Sequence, residues 1–518
     1  MKKIFTTLVA GLMISAQMMA VSPKDVCGKF NGMLNIDWEE YPGRSVYLLP
    51  GATDNTLTFV LPDFTFGKGQ LGNIVLPNIT MDADGKLSLE ATTLYLDSIS
   101  LRASIKMLNN YVDEGETYNS IVSANSAEVT LEIAAPTLPL PIIVYFQGDA
   151  VKDNNYVLPN GGFEGGWTNY EPAGWHSFAS ACGLLADFVS SDTAKFVQST
   201  DVRPGSNGTN SALITSSLLF GVKANGNCTN GRINAGSMVA DDAEGNYNFS
   251  DPDSVGFNTP FNGRPDSLVF WTKYLPADRD VNNEVNKARM STIITTNARY
   301  QDPESGDKFA QAKIAAATLN FSAAADLGWQ RLAVPFDYTD AADKEPAYIL
   351  ATFTTNQVPG GGSSKTEGKG SDKVTLLDSV YLDDVELVYN RELTTFSIDK
   401  APLAFAENVA TVQSNYCDSC AKYAADANGV SAETFIAFDP KHRCIFVYVI
   451  ADDYAQSGAY SIYRVEFTDT DTSDLPDGIE EVSNDQLQTT NYQKLLINGK
   501  LYIVSGDAMF DVLGNRVK

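Results

Sequence analysis

Val380-Tyr-Leu-Asp-Asp-Val-Glu-Leu-Val-Tyr389 reads as a β-strand in which Tyr381, Asp383, Val385 and Leu387 share one face, because side chains alternate sides along an extended chain. Asp383 is thereby predicted to lie in line with core-directed apolar residues. A carboxylate in that position must neutralise, meet a counter-charge such as Arg264 or Lys273, or hold a metal. Far upstream, Asn160-Gly-Gly-Phe-Glu-Gly-Gly-Trp167 has the punctuation of a strand entry and supplies Glu164. The two stretches are read as the two ends of one β-sandwich. Glu164, Asp383 and Asp384 are its candidate metal ligands, and Ca²⁺, which takes six to eight oxygen donors, is the ion such a set would suit. The other reading is that Glu164 caps a turn and Asp383 accepts backbone N–H groups.

The chain has 518 residues, enough for three or four domains at roughly 100–200 residues each. Lys2 and Lys3, an apolar run from Ile4 to about Ser15, and Ala20 have the layout of a cleaved secretory leader over residues 1–20. The expected location is therefore outside the cell, secreted or on the outer surface. No later apolar run approaches the length of a membrane-spanning helix. A formal net charge of −27 makes nucleic acid a poor partner. Export permits disulfides among Cys27, Cys182, Cys228, Cys417, Cys420 and Cys444. Proximity in the chain favours Cys182 with Cys228, and Cys444 with Cys417 or Cys420.

The fold class is all-β. Over residues 24–148, short alternating runs are broken by turn signals such as Asp84-Gly85 and Asn109-Asn110, which predicts a small antiparallel barrel. In Thr56-Leu-Thr-Phe-Val-Leu61, Leu57, Phe59 and Leu61 face inward, and Thr56, Thr58 and Val60 face out. Through Val26-Cys-Gly-Lys-Phe-Asn-Gly32, Leu61-Pro-Asp-Phe-Thr-Phe66 and Leu71-Gly-Asn-Ile-Val-Leu-Pro-Asn-Ile79, this segment resembles the calycin-like domain of exported proteins from gut and oral anaerobes. The resemblance implies a lipocalin-like barrel, filled with side chains or holding a small apolar ligand.

Residues 155–390 resemble the carbohydrate metabolism domain (PCMD) of the same group. Four motifs in order carry the likeness: Asn160-Gly-Gly-Phe-Glu with Pro172-Ala-Gly-Trp-His176, Gly256-Phe-Asn-Thr-Pro-Phe-Asn-Gly-Arg-Pro265 with Ser267-Leu-Val-Phe-Trp-Thr-Lys-Tyr274, Trp329-Gln-Arg-Leu-Ala-Val-Pro-Phe-Asp-Tyr338, and Tyr381-Leu-Asp-Asp-Val-Glu-Leu387. What it implies is a jelly-roll β-sandwich like those of carbohydrate-binding modules, which often carry a structural calcium, with no catalytic assignment. Residues 309–321 are Ala-rich enough for a helix but are assigned to a strand by their neighbours, and residues 359–373 to a flexible Gly-rich loop. Residues 391–467 look like a small cadherin-like or immunoglobulin-like β-sandwich with Cys444-Ile-Phe-Val-Tyr-Val-Ile450 as its central strand. An acidic linker follows at 468–482. The tail, 483–518, has an Asn498-Gly499 hairpin signal between alternating strands. It resembles the C-terminal sorting domain of the type IX secretion system, which implies secretion machinery as a partner.

Two histidines leave almost no scope for a His-based triad or zinc site. Sugars are gripped by aromatic faces and by amide or carboxylate hydrogen bonds. Trp175, His176, Trp167 and Tyr300 are the candidate glycan-binding residues, with Trp175 foremost because it follows Pro172-Ala-Gly174 in a loop. Trp271, bulky on both sides, is assigned to the core. The function expected is non-catalytic glycan binding by the central domain. The alternatives are a glycan hydrolase or lyase using an unidentified carboxylate pair, and a structural or adhesive surface protein with a ligand-holding barrel.

Overall fold

The computed structural model describes residues 22–468, apart from 38, 67–68, 97–100, 114, 136–139, 153–154, 169–170, 191–194, 220–221, 339–342 and 420, and also the strands within 492–511. The leader at 1–20, the linker at 468–482 beyond its first residue, the Asn498-Gly499 turn and the last seven residues lie outside the described set. Described helices run to six residues at most, and none is long and apolar enough to cross a membrane. The protein is all-β.

The N-terminal sheet runs Leu87–Ser88, Gly69–Met81, Thr56–Phe66, Glu39–Pro50, Gly28–Ile36, Ile142–Ala150, Ser126–Ala134, Leu101–Met107, Thr92–Leu96. Ile121–Val122 pairs with Ser126–Ala134, and backbone bonds Leu87 N–H to Ser120 O and Val122 N–H to Gly85 O, both 2.8 Å, bring the far edge back onto it. The sheet is thus curled into the nearly closed barrel that the short alternating runs predict. Leu34, Leu48, Leu57, Phe59, Ile74 and Phe146 meet inside it in one buried cluster, so the interior is packed with side chains.

The outward face expected of the Thr56–Phe66 strand is not solvated. Thr58 and Val60 are both fully buried. Val60 joins Tyr47, Leu49 and Val75 against Phe435, Phe446, Tyr448 and Tyr454, and the Tyr454 hydroxyl donates to Leu48 O at 2.7 Å. The covering strands, Glu433–Asp439, Cys444–Ile450 and Tyr460–Phe467, belong to a four-stranded sheet in residues 391–467 whose central strand, Cys444–Ile450, is buried at every position. A strand covered on both sides must be apolar on both sides, which is how that run reads.

Between these units lie two antiparallel sheets. One has five strands, Phe196–Ser199, Ser211–Thr215, Ser379–Val388, Ser267–Leu275, Gln330–Pro335; the other has four, Asn227–Thr229, Tyr348–Thr354, Ala288–Thr295, Lys313–Phe321. Phe270, Tyr274 and Leu382 from the first interleave with Met290, Ala317 and Phe353 from the second. A third layer, Arg232–Ala235, Asn246–Ser250 and Tyr300–Asp302, covers part of the outer side of the four-stranded sheet. The Ala-rich stretch splits: Asp307–Ala312 is a helix and Lys313–Phe321 a strand. Phe309 and Ala312 are buried against Tyr300 and Ile293, so the helical turn plugs the sheet edge. The Gly-rich stretch also holds order, with Lys365–Glu367 paired to Val374–Leu376.

Both proximity-based cysteine pairings are corrected. Cys27, Cys182, Cys228 and Cys444 are free thiols, Cys228 and Cys444 being enclosed in packed cores. Cys417 is disulfide-bonded, and Cys420 lies outside the described residues.

Candidate functional site

The two stretches that frame the sandwich do meet. Val385 N–H donates to Gly161 O at 2.9 Å, and a Cβ on Gly161 would lie 2.0 Å from Val385 O, so only glycine fits this contact. Between Val269 and Trp271 the pairing with Ser379–Val388 slips by one residue, and Asp384 takes a φ of 43°. This bulge reverses the alternation. Val380 and Leu382 point into the core before it, and Val385 after it. Asp383 therefore lies opposite Trp271 on the outer side of the sheet, not in line with Val385 as the uninterrupted pattern predicts.

There Asp383 is buried beneath the 201–204 segment and accepts N–H bonds from Arg203 at 3.1 Å and Asp384 at 2.9 Å. Desolvation is the main cause that pushes its carboxyl up to about 6. Asp384 is ion-paired with the Arg203 guanidinium, so the counter-charge comes from Arg203 and not from Arg264 or Lys273. Glu164 is exposed and caps a turn. It accepts the N–H groups of Thr209 and Asn210, each at 2.9 Å, the Asn210 side-chain amide at 2.9 Å and the Thr209 hydroxyl at 3.3 Å. Slight desolvation opposes its charge and these donors outweigh it, holding the carboxyl below its usual range. Among the described residues no three His, Cys, Asp or Glu side chains form a metal-holding group. With their oxygens already turned to N–H donors and a guanidinium, Glu164, Asp383 and Asp384 do not fit a calcium ion as arranged.

Two of the four glycan-binding candidates, Trp175 and Tyr300, are enclosed, and two, Trp167 and His176, are half-buried. Trp175 is 0 % exposed, packed on Phe163 and Phe353, with its indole N–H given to Pro159 O and Asn160 O. Tyr300 is buried and its hydroxyl donates to Glu304 at 2.8 Å. Neither offers a ring face to a sugar. Trp167 is half-buried on Phe196 with its N–H on Phe163 O. His176 is half-buried, its Nε2 2.8 Å from Gly256 O and its ring against Phe257, with Glu171 3.5 Å from Nδ1. Trp271, expected in the core, is half-buried on the outer side under the Arg203 guanidinium. Nearby Trp329 and Tyr381 have Lys273 over their rings. The aromatic surface of the five-stranded sheet is thus occupied by the protein's own cations.

A different place has unmet capacity. A cavity of about 290 Å³ opens between the four-stranded sheet and the third layer. Its floor is the cross-strand row Asn227, Thr354, Arg289, in which Thr354 pairs with both neighbours. Its roof is the row Ile233, Asn248, Asp302, in which Asn248 pairs with both. Arg289 reaches across and clamps Asp302 with two bonds of 2.8 and 2.9 Å. Burial works against the guanidinium charge there, and the Asp302 bonds overcome it, so the Arg289 pKa is raised. Asn227 and Asn248, 9 % and 6 % exposed, each present a side-chain carbonyl oxygen with no hydrogen-bond partner. Leaving such a buried acceptor unpaired costs about 1–3 kcal/mol. The four residues Asn227, Asn248, Arg289 and Asp302 escaped sequence reasoning. The one available signal was Asn246-Tyr-Asn-Phe-Ser250, where two amides fall on the same side of a strand.

No protein-family model matches the chain, and no curated protein matches it. Among solved structures, a carbohydrate-binding module of the β-sandwich superfamily aligns with 65 % of this chain and 93 % of its own length, at 10 % identity and a TM-score of 0.20. A candidate outer membrane protein of Bacteroides fragilis NCTC 9343 aligns with 24 % of this chain at 14 % identity and a TM-score of 0.15. The alignment spans about half of that protein's length, 52 %. At these scores neither superposition assigns a ligand or a family to this chain.

Proposed function

We propose that the central sandwich binds glycan without cleaving it, and that the cavity between its four-stranded sheet and the third layer is where it does so. The observation that carries this reading is the pair of buried amides, Asn227 and Asn248, which line one cavity from two different sheets and whose enclosed side-chain oxygens have no partner. Once the amide turns its oxygen toward the cavity, a hydroxyl- and amide-bearing ligand supplies the donor it lacks. At about 290 Å³ the cavity is at the lower end of small-molecule pockets, roughly 300–1,000 Å³, which suits one sugar residue or a chain end. Exposed Met238 in its lining offers apolar surface to the C–H face of a following ring.

Cleavage is disfavoured by the lining. Glycoside hydrolysis uses two carboxylates about 5–10 Å apart, whereas the described lining holds one, Asp302, committed to Arg289. The packed barrel interior likewise favours the sandwich over the barrel as the ligand-holding part. A glycan array on the full chain, with product analysis of every hit, tests the proposal. Retention without cleavage is the expected result; a released product would favour a hydrolase or lyase, and no retention of any glycan would refute binding.

We propose further that the protein works outside the cell, using the leader-like residues 1–20 and the terminal hairpin pattern as its addresses to the secretion machinery. Mass spectrometry of the extracellular protein is expected to find both ends trimmed, near Ala20 and within residues 468–491.

A further inference from the structure

The cavity is rich in apolar wall and poor in free polar capacity. Most amides that line it are already engaged: Asn246 holds the N–H groups of Gly236 and Ser237 and the carbonyls of Ser237 and Val239. Asn356 holds Ser216, Thr355 and Asp378. Asn225 bridges Asn356 O and Gly360 N–H. Against these stand Leu185, Ile233 and Met238, side chains with no hydrogen bond to give. A pyranose ring entering edge-on would bring several hydroxyls into this space, and each buried hydroxyl without a partner costs free energy. The two free oxygens, on Asn227 and Asn248, cannot serve them all.

We infer that the group admitted to this cavity is an acetamido group, so that the glycan recognised is one bearing N-acetylhexosamine. This rests on the reading of the cavity as a glycan site and names its specificity. An acetamido group carries one N–H, one carbonyl and one methyl. The N–H meets the unsatisfied Oδ1 of Asn248, or of Asn227 from the facing row, once that enclosed oxygen has turned toward the cavity. The carbonyl takes the side-chain N–H₂ of the other amide. The methyl lies on Ile233 and Met238, where a hydroxyl would be stranded. Because the two amides come from different sheets joined by the Arg289–Asp302 clamp, the two rows are held together before the ligand arrives, which limits the ordering cost of binding.

Saturation-transfer NMR on the full chain tests this with four free monosaccharides: N-acetylglucosamine, N-acetylgalactosamine, glucose and galactose. At least one N-acetylated sugar is expected to bind about tenfold or more tightly than its parent hexose, with its acetyl methyl the most strongly saturated group. Asn227→Ala and Asn248→Ala are each expected to weaken it at least about fivefold. The parent-sugar comparison needs no variant, so a variant that fails to fold leaves the inference exposed to refutation. Equal affinity for the acetylated and parent sugars, or saturation centred on ring protons, overturns the acetamido assignment. If such binding is still lost in Asn248→Ala, the cavity remains a glycan site of another specificity. If none of the four sugars binds and the array retains no glycan either, both the assignment and the proposed function fall.

Discussion

Two polar regions of the central sandwich differ in what they leave undone. Where Asn160-Gly-Gly-Phe-Glu meets Leu382-Asp-Asp-Val385, every carboxylate is answered: Glu164 by two backbone amides, Asp383 by two more, Asp384 by Arg203. In the cavity behind the four-stranded sheet, Asn227 and Asn248 keep acceptors that nothing in the protein fills. The first region is conspicuous in sequence and complete in structure. The second is inconspicuous and incomplete. A saturated cluster fixes the fold, and an unsatisfied one, being costly to maintain, points to a ligand.

The contrast is broken most forcefully by mutation of what each region is built on. Trp175→Ala removes a fully buried indole from the sandwich core and is expected to cost about 3–5 kcal/mol in denaturant unfolding. If Trp175 were instead a sugar platform, stability would barely move and binding alone would fall. Arg289→Met leaves Asp302 uncompensated beside the cavity. About 3 kcal/mol is expected, the lower end of the range for breaking a buried pair, since 27 % of the Arg289 side chain remains exposed. The same change is expected to loosen glycan binding, because the two rows lose their clamp.

Smaller effects sharpen the saturated side. Glu164→Ala is expected to cost about 1 kcal/mol, the usual loss for a capping side chain, while leaving glycan binding intact. Asp383 gives a pH signature. Its folded pKa of about 6 lies above the unfolded value near 4, so the folded state holds the proton to higher pH. Stability from this group is therefore fully present below pH ~4 and is lost as pH rises through ~6. Asp383→Asn is expected to abolish that loss, so the melting temperature of the variant relative to the parent should rise across this interval. A difference that stays flat from pH 4 to 7 would show that Asp383 titrates normally. Chelator is expected to leave the melting temperature unchanged, and a clear drop would mean that a cation displaces the N–H donors now seen on these carboxylates.

The sequence made the architecture legible where alternation ran uninterrupted. The inward set Leu57, Phe59 and Leu61, the doubly buried Cys444–Ile450 strand and the adjacency of the two framing stretches all follow from local pattern. What failed was whatever depended on distant parts of the chain. Thr58 and Val60 look solvated until strands nearly 400 residues later cover them. The bulge at Asp384 cannot be read from alternation, and it moves Asp383 to the other side of the sheet. Trp175, beside Gly174 in a loop-like stretch, is buried because the loop folds back under Pro159 and Asn160. The cavity was invisible for the same reason: Asn227, Asn248, Arg289 and Asp302 come from four strands, and only pairing across two sheets turns them into two facing rows.

The proposed function places binding in the unsatisfied cavity and not in the saturated framing cluster. It is tested most directly by titrating one array-identified glycan into the parent protein, Asn248→Ala and Glu164→Gln side by side. Asn248→Ala is expected to weaken binding at least about fivefold and Glu164→Gln to leave it unchanged. Loss in Glu164→Gln with full affinity in Asn248→Ala would contradict it.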